Sequence, residues 1–274
     1  MYKILENPVK FLKKLISKNF TKMNEKENKY IVVHYTTDLN SKSGKAMQNR
    51  DYFNTTTNQS SAHYIVDNEF VVQAVEDENK AWHCGTSGKY KHPEARNSNS
   101  IGIEMCSSNS SGKAYKDCKS TDKEWYFTPE VVKNTVELIV DLMQKYNISI
   151  DRVIRHYDVT GKTCPAPYVN DESEWMVFKT KILKEIEDRK KKEEKEMEKE
   201  IFKKLFDEMR KELQDNDCSN YSKEAREWAV ESGLIAGNGT KINGEPNYMW
   251  GDFMTREQMI TILHRFRKIF VDKE

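Results

Sequence analysis

Three apolar runs in the first 75 residues and an alternating segment before residue 107 carry the signature of β-strands, and most of what remains is patterned for helices. Tyr30-Ile31-Val32-Val33 is a β-branched run that ends at His34 and hands over to polar Thr36, Thr37 and Asp38. Residues 62–66 and 70–75 are two further strand-like runs, and the polar break Asp67-Asn68-Glu69 between them predicts a hairpin. From 101 to 106, Ile101, Ile103 and Met105 alternate with Gly102, Glu104 and Cys106, a period of two that predicts a strand with Glu104 on the face opposite the isoleucines. Residues 43–54 read as a helix. Thr128 and Pro129 supply an N-cap and a first-turn proline for another, whose apolar face is Val132, Val136, Ile139, Val140 and Met143, ending at Asn147 before a short strand near Val153-Ile154. Residues 107–123 are polar and predict a loop long enough to form a groove rim. Residues 1 to about 28 place Phe11, Leu12, Leu15 and Ile16 at helical spacing, which predicts a short amphipathic lead-in followed by a Lys- and Asn-rich connector. Strands interleaved with amphipathic helices make this an α/β domain built on one sheet.

Beyond Trp175 the pattern changes twice. Phe178, Ile182 and Ile186 recur at helical spacing, so a helix should pack back on the sheet. The apolar face then vanishes in DRKKKEEKEMEKE, 188–200, where interleaved Lys and Glu support a solvated helix through i,i+4 pairs of ~0.2–0.5 kcal/mol each. Ile201, Leu205, Met209 and Leu213 restart a stripe that could dock on the tail or pair with another copy. In the tail, Gly233 can terminate a helix over 222–232. Thr255 with Gln258 forms a capping box, and Met259, Ile262, Leu263, Phe266 and Ile269 line one face of the helix that follows. The expected organisation is a main domain at 1–187, a charged helical linker at 188–214, and a small all-α C-terminal module at 215–274.

Composition narrows the function classes. No apolar run approaches the ~20 residues of a membrane span, the mean hydropathy is −0.85 and 32% of residues are charged. A net charge of +1 supplies no global field for nucleic acid or anionic polymers, so no nucleic-acid partner is expected. Lysines 13, 14 and 18 interrupt the leading apolar run before it could become a signal peptide, which predicts synthesis and residence in the cytoplasm. Five cysteines without an export signal predict reduced thiols. Cys84 and Cys106 read as buried inert thiols.

The candidate chemistry sits in VIRHYDVTGKTCPAP, 153–167, where His156 and Cys164 flank a glycine turn with Lys162 between them. His34, at the end of its strand, is a third ligand type. Two neutral imidazoles and a thiolate would leave one zinc ion with a net charge near +1 and one open position for water. The residue types alone leave His34 open between a ligand and a satisfied core histidine. Glu104 adds weight to the first reading, because a carboxylate on so apolar a strand is expensive to bury without a partner, and a metal-bound water is one. Asp158 is placed to orient His156 from behind, or to be a surface carboxylate.

In order, IVVHYT, SAHYIVDN, AWHCG, NSIGIEMC and RHYDVTGKTCPAP resemble the zinc-dependent N-acetylmuramoyl-L-alanine amidases of the amidase-2 type, over roughly residues 25 to 187. The resemblance implies a central mixed β-sheet flanked by helices and a peptidoglycan substrate cut between N-acetylmuramic acid and L-alanine. It makes His34, His156 and Cys164 the ligands of one catalytic Zn2+, Glu104 the catalytic carboxylate, and Lys162 a transition-state stabiliser. His63, Trp82 and His83 become substrate-groove candidates, although core or rim packing fits each equally well. Some family members carry a Tyr where this chain has Ala62, so the burden falls on Glu104. The expectation is a phage or prophage endolysin acting at the wall after release, through a holin if phage-encoded. The alternatives are a host autolysin or a peptidoglycan-binding protein that does not cut. WAVESGLIAGNG and MTREQMITILHRF resemble one S-layer-homology-like repeat, which implies a secondary cell-wall polymer as a further partner, and a homodimer through the C-terminal region to complete it.

Overall fold

In the computed structural model, which describes residues 10–85 and 89–272, the alternating segments become neighbours in one six-stranded mixed sheet. The strands in chain order are β1 (Lys10–Lys13), β2 (Phe20–Thr21), β3 (Tyr30–Tyr35), β4 (Tyr64–Val66), β5 (Phe70–Gln73), β6 (Lys80–Ala81), β7 (Ser100–Met105), β8 (Ser108–Asn109), β9 (Trp125–Tyr126) and β10 (Val153–Arg155). The main sheet runs β1-β5-β4-β7-β3-β10, while β2 pairs with β6 and β8 with β9. All its pairs are parallel except the β4–β5 hairpin, which turns at the Asp67-Asn68-Glu69 break. Asp67 holds that turn by accepting from the backbone N–H groups of Glu69 and Phe70 at 2.8 and 2.7 Å.

The helices of this region are α1 (Lys45–Thr55), α2 (Pro129–Tyr146), α3 (His156–Thr160), α4 (Ala166–Asn170) and α5 (Glu172–Glu212). Thr128 caps α2 by accepting from Val131 N, and Asn147 ends it in the left-handed region at φ 53°. Val136, Ile139, Val140 and Met143 of α2 pack on Ile31, Val33, Ile101, Ile103 and Met105, the sheet face away from Glu104. Trp175, Phe178 and Ile182 of α5 close the same core. Each such side chain stabilises the fold by roughly 1.5–3 kcal/mol relative to exposure. That layer makes the sheet a rigid platform for whatever its other face carries.

Two expectations are corrected here. The segment around Phe11 is a strand, not an amphipathic helix; the part of that lead-in before residue 10 lies outside the described residues. Phe11 meets the Tyr64 ring on one face and Leu12 packs among Val72 and Ala74 on the other. The physical reason is that β5 offers a row of edge N–H and C=O groups, and pairing with them outweighs a helical spacing only two turns long.

The described residues form two compact units divided between Arg189 and Lys190. The charged stretch lies inside α5, a single helix of 41 residues. In the second unit Phe206 stacks on Phe253 at 6.3 Å, and Arg210 pairs with Asp252 at 2.9 Å. Helix α6 (Lys223–Glu231) is followed by Gly233 at φ +74°, and α7 (Arg256–Phe266) carries the Thr255–Gln258 capping box. The second correction falls here. Between α6 and α7 lies a short hairpin of β11 (Lys241–Ile242) and β12 (Glu245–Pro246), so the module is not all helix. No residue of α7 is buried, and of the expected inner stripe Met259, Leu263 and Phe266 are exposed while Ile262 and Ile269 are half-buried. A segment this short cannot surround both faces of its own helices.

Candidate metal centre

Strands β3 and β7 run parallel with His34 opposite Glu104, so both side chains leave the same face at the C-terminal end of the sheet. On the other flank of β3, β10 pairs Arg155 with Val33, and the next residue, His156, opens α3 level with His34. Gly161, at φ +85°, ends α3 and reverses the chain, and Tyr157 N donates to the Cys164 carbonyl at 2.9 Å, which draws the thiol back over the strand ends. The result is convergence. His34 Nδ1 lies 3.1 Å from His156 Nδ1 and 3.7 Å from Cys164 Sγ, and all three residues are buried. Tetrahedral zinc, with bonds of about 2.0–2.1 Å to nitrogen and 2.3 Å to sulfur, sets ligand atoms about 3.3 Å (N to N) and 3.6 Å (N to S) apart.

The electrostatics fit the same occupant. Burial holds His34 well below its ordinary value, with the His156 and His83 rings adding to the effect, and burial together with the Lys162 charge lowers His156 to about 4. Both imidazoles are therefore neutral with lone pairs to give. Burial raises the Cys164 thiol, as does the Glu104 charge. Burial also pushes Glu104 up to about 8, with Lys162 opposing and Asp38 adding. Glu104 Oε2 is shielded from solvent and has no hydrogen-bond partner among the described residues. A site that penalises each anion separately, while supplying two lone pairs, is relieved by a dication, which favours the thiolate and the carboxylate together.

That strain has a measurable sign. In the metal-free protein the folded chain holds a proton on Glu104 between about pH 4.5 and 8 that the unfolded chain has released, so this group's contribution to stability falls as pH rises through that window. Metal-free Glu104→Gln is expected to gain on metal-free wild type between pH 5 and pH 8 by on the order of 3 kcal/mol. Urea unfolding at the two pH values reads the difference, and parallel stability curves would refute it.

The remaining candidates disperse. Lys162 stands exposed on the loop before Cys164, and its charge is felt at His34, His156, Cys164 and Glu104. Trp82 is half-buried and donates from Nε1 to Thr21 Oγ1 at 3.0 Å. His63 takes the core-packing alternative. It is fully buried, its Nδ1 accepts from Gly102 N at 2.9 Å, and its Nε2 meets the Asn79 carbonyl at 3.0 Å and Lys26 Nζ at 2.9 Å. Asp158 does not orient His156, because its carboxylate accepts from Arg155 N, Nε and Nη2, an arginine close enough in sequence to claim both oxygens. His83 is buried too and lies between His34 and Ser100. Cys84 and Cys106 are buried free thiols, with Cys84 3.1 Å from His83 Nδ1. The contact that sequence reasoning missed is His83 on His34. Its signal is Gly102, a glycine inside a strand, which marks close approach by another group.

A largely parallel α/β platform thus gathers two imidazoles, a thiol and a carboxylate at its strand ends, and the His34, His156 and Cys164 group could hold a metal ion. Residues 24–167 match the family model described as N-acetylmuramoyl-L-alanine amidase, the amidase-2 family, and the chain belongs to that family. It is 33% identical over 184 residues to the N-acetylmuramoyl-L-alanine amidase CwlL of Bacillus licheniformis, an overlap of 61% of this chain and 46% of that protein. With CwlA of Bacillus subtilis strain 168 the identity is 29% over 183 residues, 65% of this chain and 58% of the relative. The chain thus spans about half the length of the curated relatives it matches. Among solved structures, PlyL covers 63% of this chain and 96% of its own at 31% identity, with a TM-score of 0.47.

Proposed function

We propose that this protein is a zinc-dependent N-acetylmuramoyl-L-alanine amidase, a peptidoglycan hydrolase of the endolysin type acting at the bacterial cell wall. The observation that carries the reading is the convergence of His34 Nδ1, His156 Nδ1 and Cys164 Sγ beside the unpartnered Glu104 Oε2 in a chain of this family. His34, His156 and Cys164 would hold the zinc ion, which would supply Lewis acidity toward a water and the scissile carbonyl. Glu104 takes the proton of the attacking water and returns it to the leaving L-alanine amine. Lys162, exposed at the mouth of the site, offsets the negative charge that develops on the carbonyl oxygen.

The test is mass spectrometry of fragments released from purified Gram-positive peptidoglycan by zinc-loaded and chelator-treated protein. Stem peptides with a free L-alanine amine, appearing only with zinc, are expected. Wall binding with no new amine would overturn the enzymatic reading.

The second unit supports attachment to a secondary wall polymer. It holds a cleft of about 460 Å³ lined by Tyr248, Trp250, Phe253, Glu257 and Arg265, aromatic faces with charges of both signs. The exposed apolar side chains of α7, Leu263 and Phe266 among them, favour its association with a second copy. Light scattering should find a dimer, and cosedimentation of the full chain with purified walls should weaken when Trp250 is replaced by Ala. A monomer that binds walls equally well with or without Trp250 would refute both.

A further inference from the structure

We propose that His83 is a positioning residue: it locks His34 in the tautomer with its proton on Nε2, leaving the Nδ1 lone pair aimed at His156 and Cys164. Its purpose rests on the zinc reading above, whereas its geometry does not. The protons can be assigned from one end of a buried chain of contacts. Ser100 Oγ donates to the Arg96 carbonyl at 2.6 Å, so it can offer His83 only lone pairs. His83 Nε2, 3.2 Å from that hydroxyl, therefore carries a hydrogen, and His83 Nδ1 is an acceptor. His34 Nε2 lies 3.0 Å from His83 Nδ1 and must donate to it. The Cys84 Sγ lies 3.1 Å from the same nitrogen, a weaker thiol donor that shares its single lone pair. That leaves His34 Nδ1 bare, on the side of the ring where His156 Nδ1 and Cys164 Sγ converge.

The place of His83 is itself constructed. Asn97 Oδ1 accepts from the backbone N–H groups of both His83 and Cys84, at 3.2 and 2.7 Å. Beneath the ring, Gly102 has no side chain, and a Cβ there would stand 2.5 Å from His83 Cγ. Ligating histidines commonly give their second N–H to a carboxylate, carbonyl or water; here a neutral imidazole takes that place, and its own acceptance depends on Ser100. His34, His83 and Cys84 also form a donor group by proximity. Their 3.1 Å Sγ to Nδ1 separation is about half an ångström shorter than two ligands of tetrahedral zinc would keep, which suits a hydrogen bond.

Long-range 1H–15N spectra of the metal-free full chain, with His34 assigned by substitution, should show the Nε2–H tautomer. His83→Leu removes the acceptor, whereas His83→Asn retains one. Zinc dissociation constants from chelator competition should rise ~10–100-fold in His83→Leu and stay within a few-fold of wild type in His83→Asn. Gly102→Ala, which crowds the ring while keeping it, should weaken zinc binding in the same direction. A proton on Nδ1 of His34, or unchanged zinc affinity in His83→Leu, would overturn the assignment. Two zinc ions per chain, one of them lost in Cys84→Ser, would make His83 a ligand and overturn it as well. Failure of wild type to bind zinc while the Nε2–H tautomer is observed would strike the zinc reading alone.

Discussion

Cys164→Ala should leave a folded chain that no longer retains zinc and no longer releases stem peptides above the no-enzyme background. In the proposed ligand set Cys164 is the one member that would bind as an anion, and it lies 3.7 Å from His34 Nδ1, so its loss would remove one of three protein bonds and leave the dication facing two neutral rings. The same change should appear in stability. At free zinc a thousand times above Kd, binding stabilises the native state by about 4 kcal/mol. For a unit of this size each kcal/mol moves Tm by about 2–4 °C, so wild type should melt about 10 °C higher with zinc than with chelator. The variant should melt at one temperature in both. One zinc per chain retained at wild-type affinity would remove Cys164 from the ligand set.

Glu104→Gln should behave differently, keeping zinc and losing turnover. Glutamine matches glutamate in shape, so the pairing of β7 with β3 and the position of His34 are undisturbed. What it cannot do is accept a proton and pass it on. A general base of this kind contributes ~10²–10⁴ in rate, so kcat should fall by that factor with KM close to wild type, because the carboxylate acts on the reacting water and not on the ground-state substrate. Full activity in the zinc-loaded variant would transfer the proton to another group. Taken with the stability measurement, the substitution produces opposite effects in one residue: the metal-free fold gains at pH 8 while the enzyme loses its base.

Much of this site was legible because each element carries its own local rule. The alternation over 101–106 placed Glu104 opposite Ile101 and Ile103, and α2 does cover the isoleucine face. The Thr128-Pro129 start and the Asn147 stop of α2 are chemical signals that no tertiary contact needed to supply. His63 and Asp158 stay open in the sequence for the opposite reason. The correct partner of each, Gly102 N in one case and the Arg155 guanidinium in the other, depends on where a side chain of fixed reach finds a donor, and spacing along the chain does not encode that. The strand at Phe11 was misread because an edge strand takes its stability from its neighbour's backbone, whose position a local pattern does not contain.

By itself, then, the sequence determined the strands that carry His34 and Glu104, both ends of α2, the charged continuation of α5 and the ordered motifs that place the chain among the amidases, since periodicity, capping and motif order are properties of neighbouring residues. Only the tertiary structure decided that His34 has His156 and Cys164 on one side of its ring and His83 on the other. Those residues stand 122, 130 and 49 positions away, and the sheet order that brings β10, β3 and β7 side by side is set by the burial of one shared core.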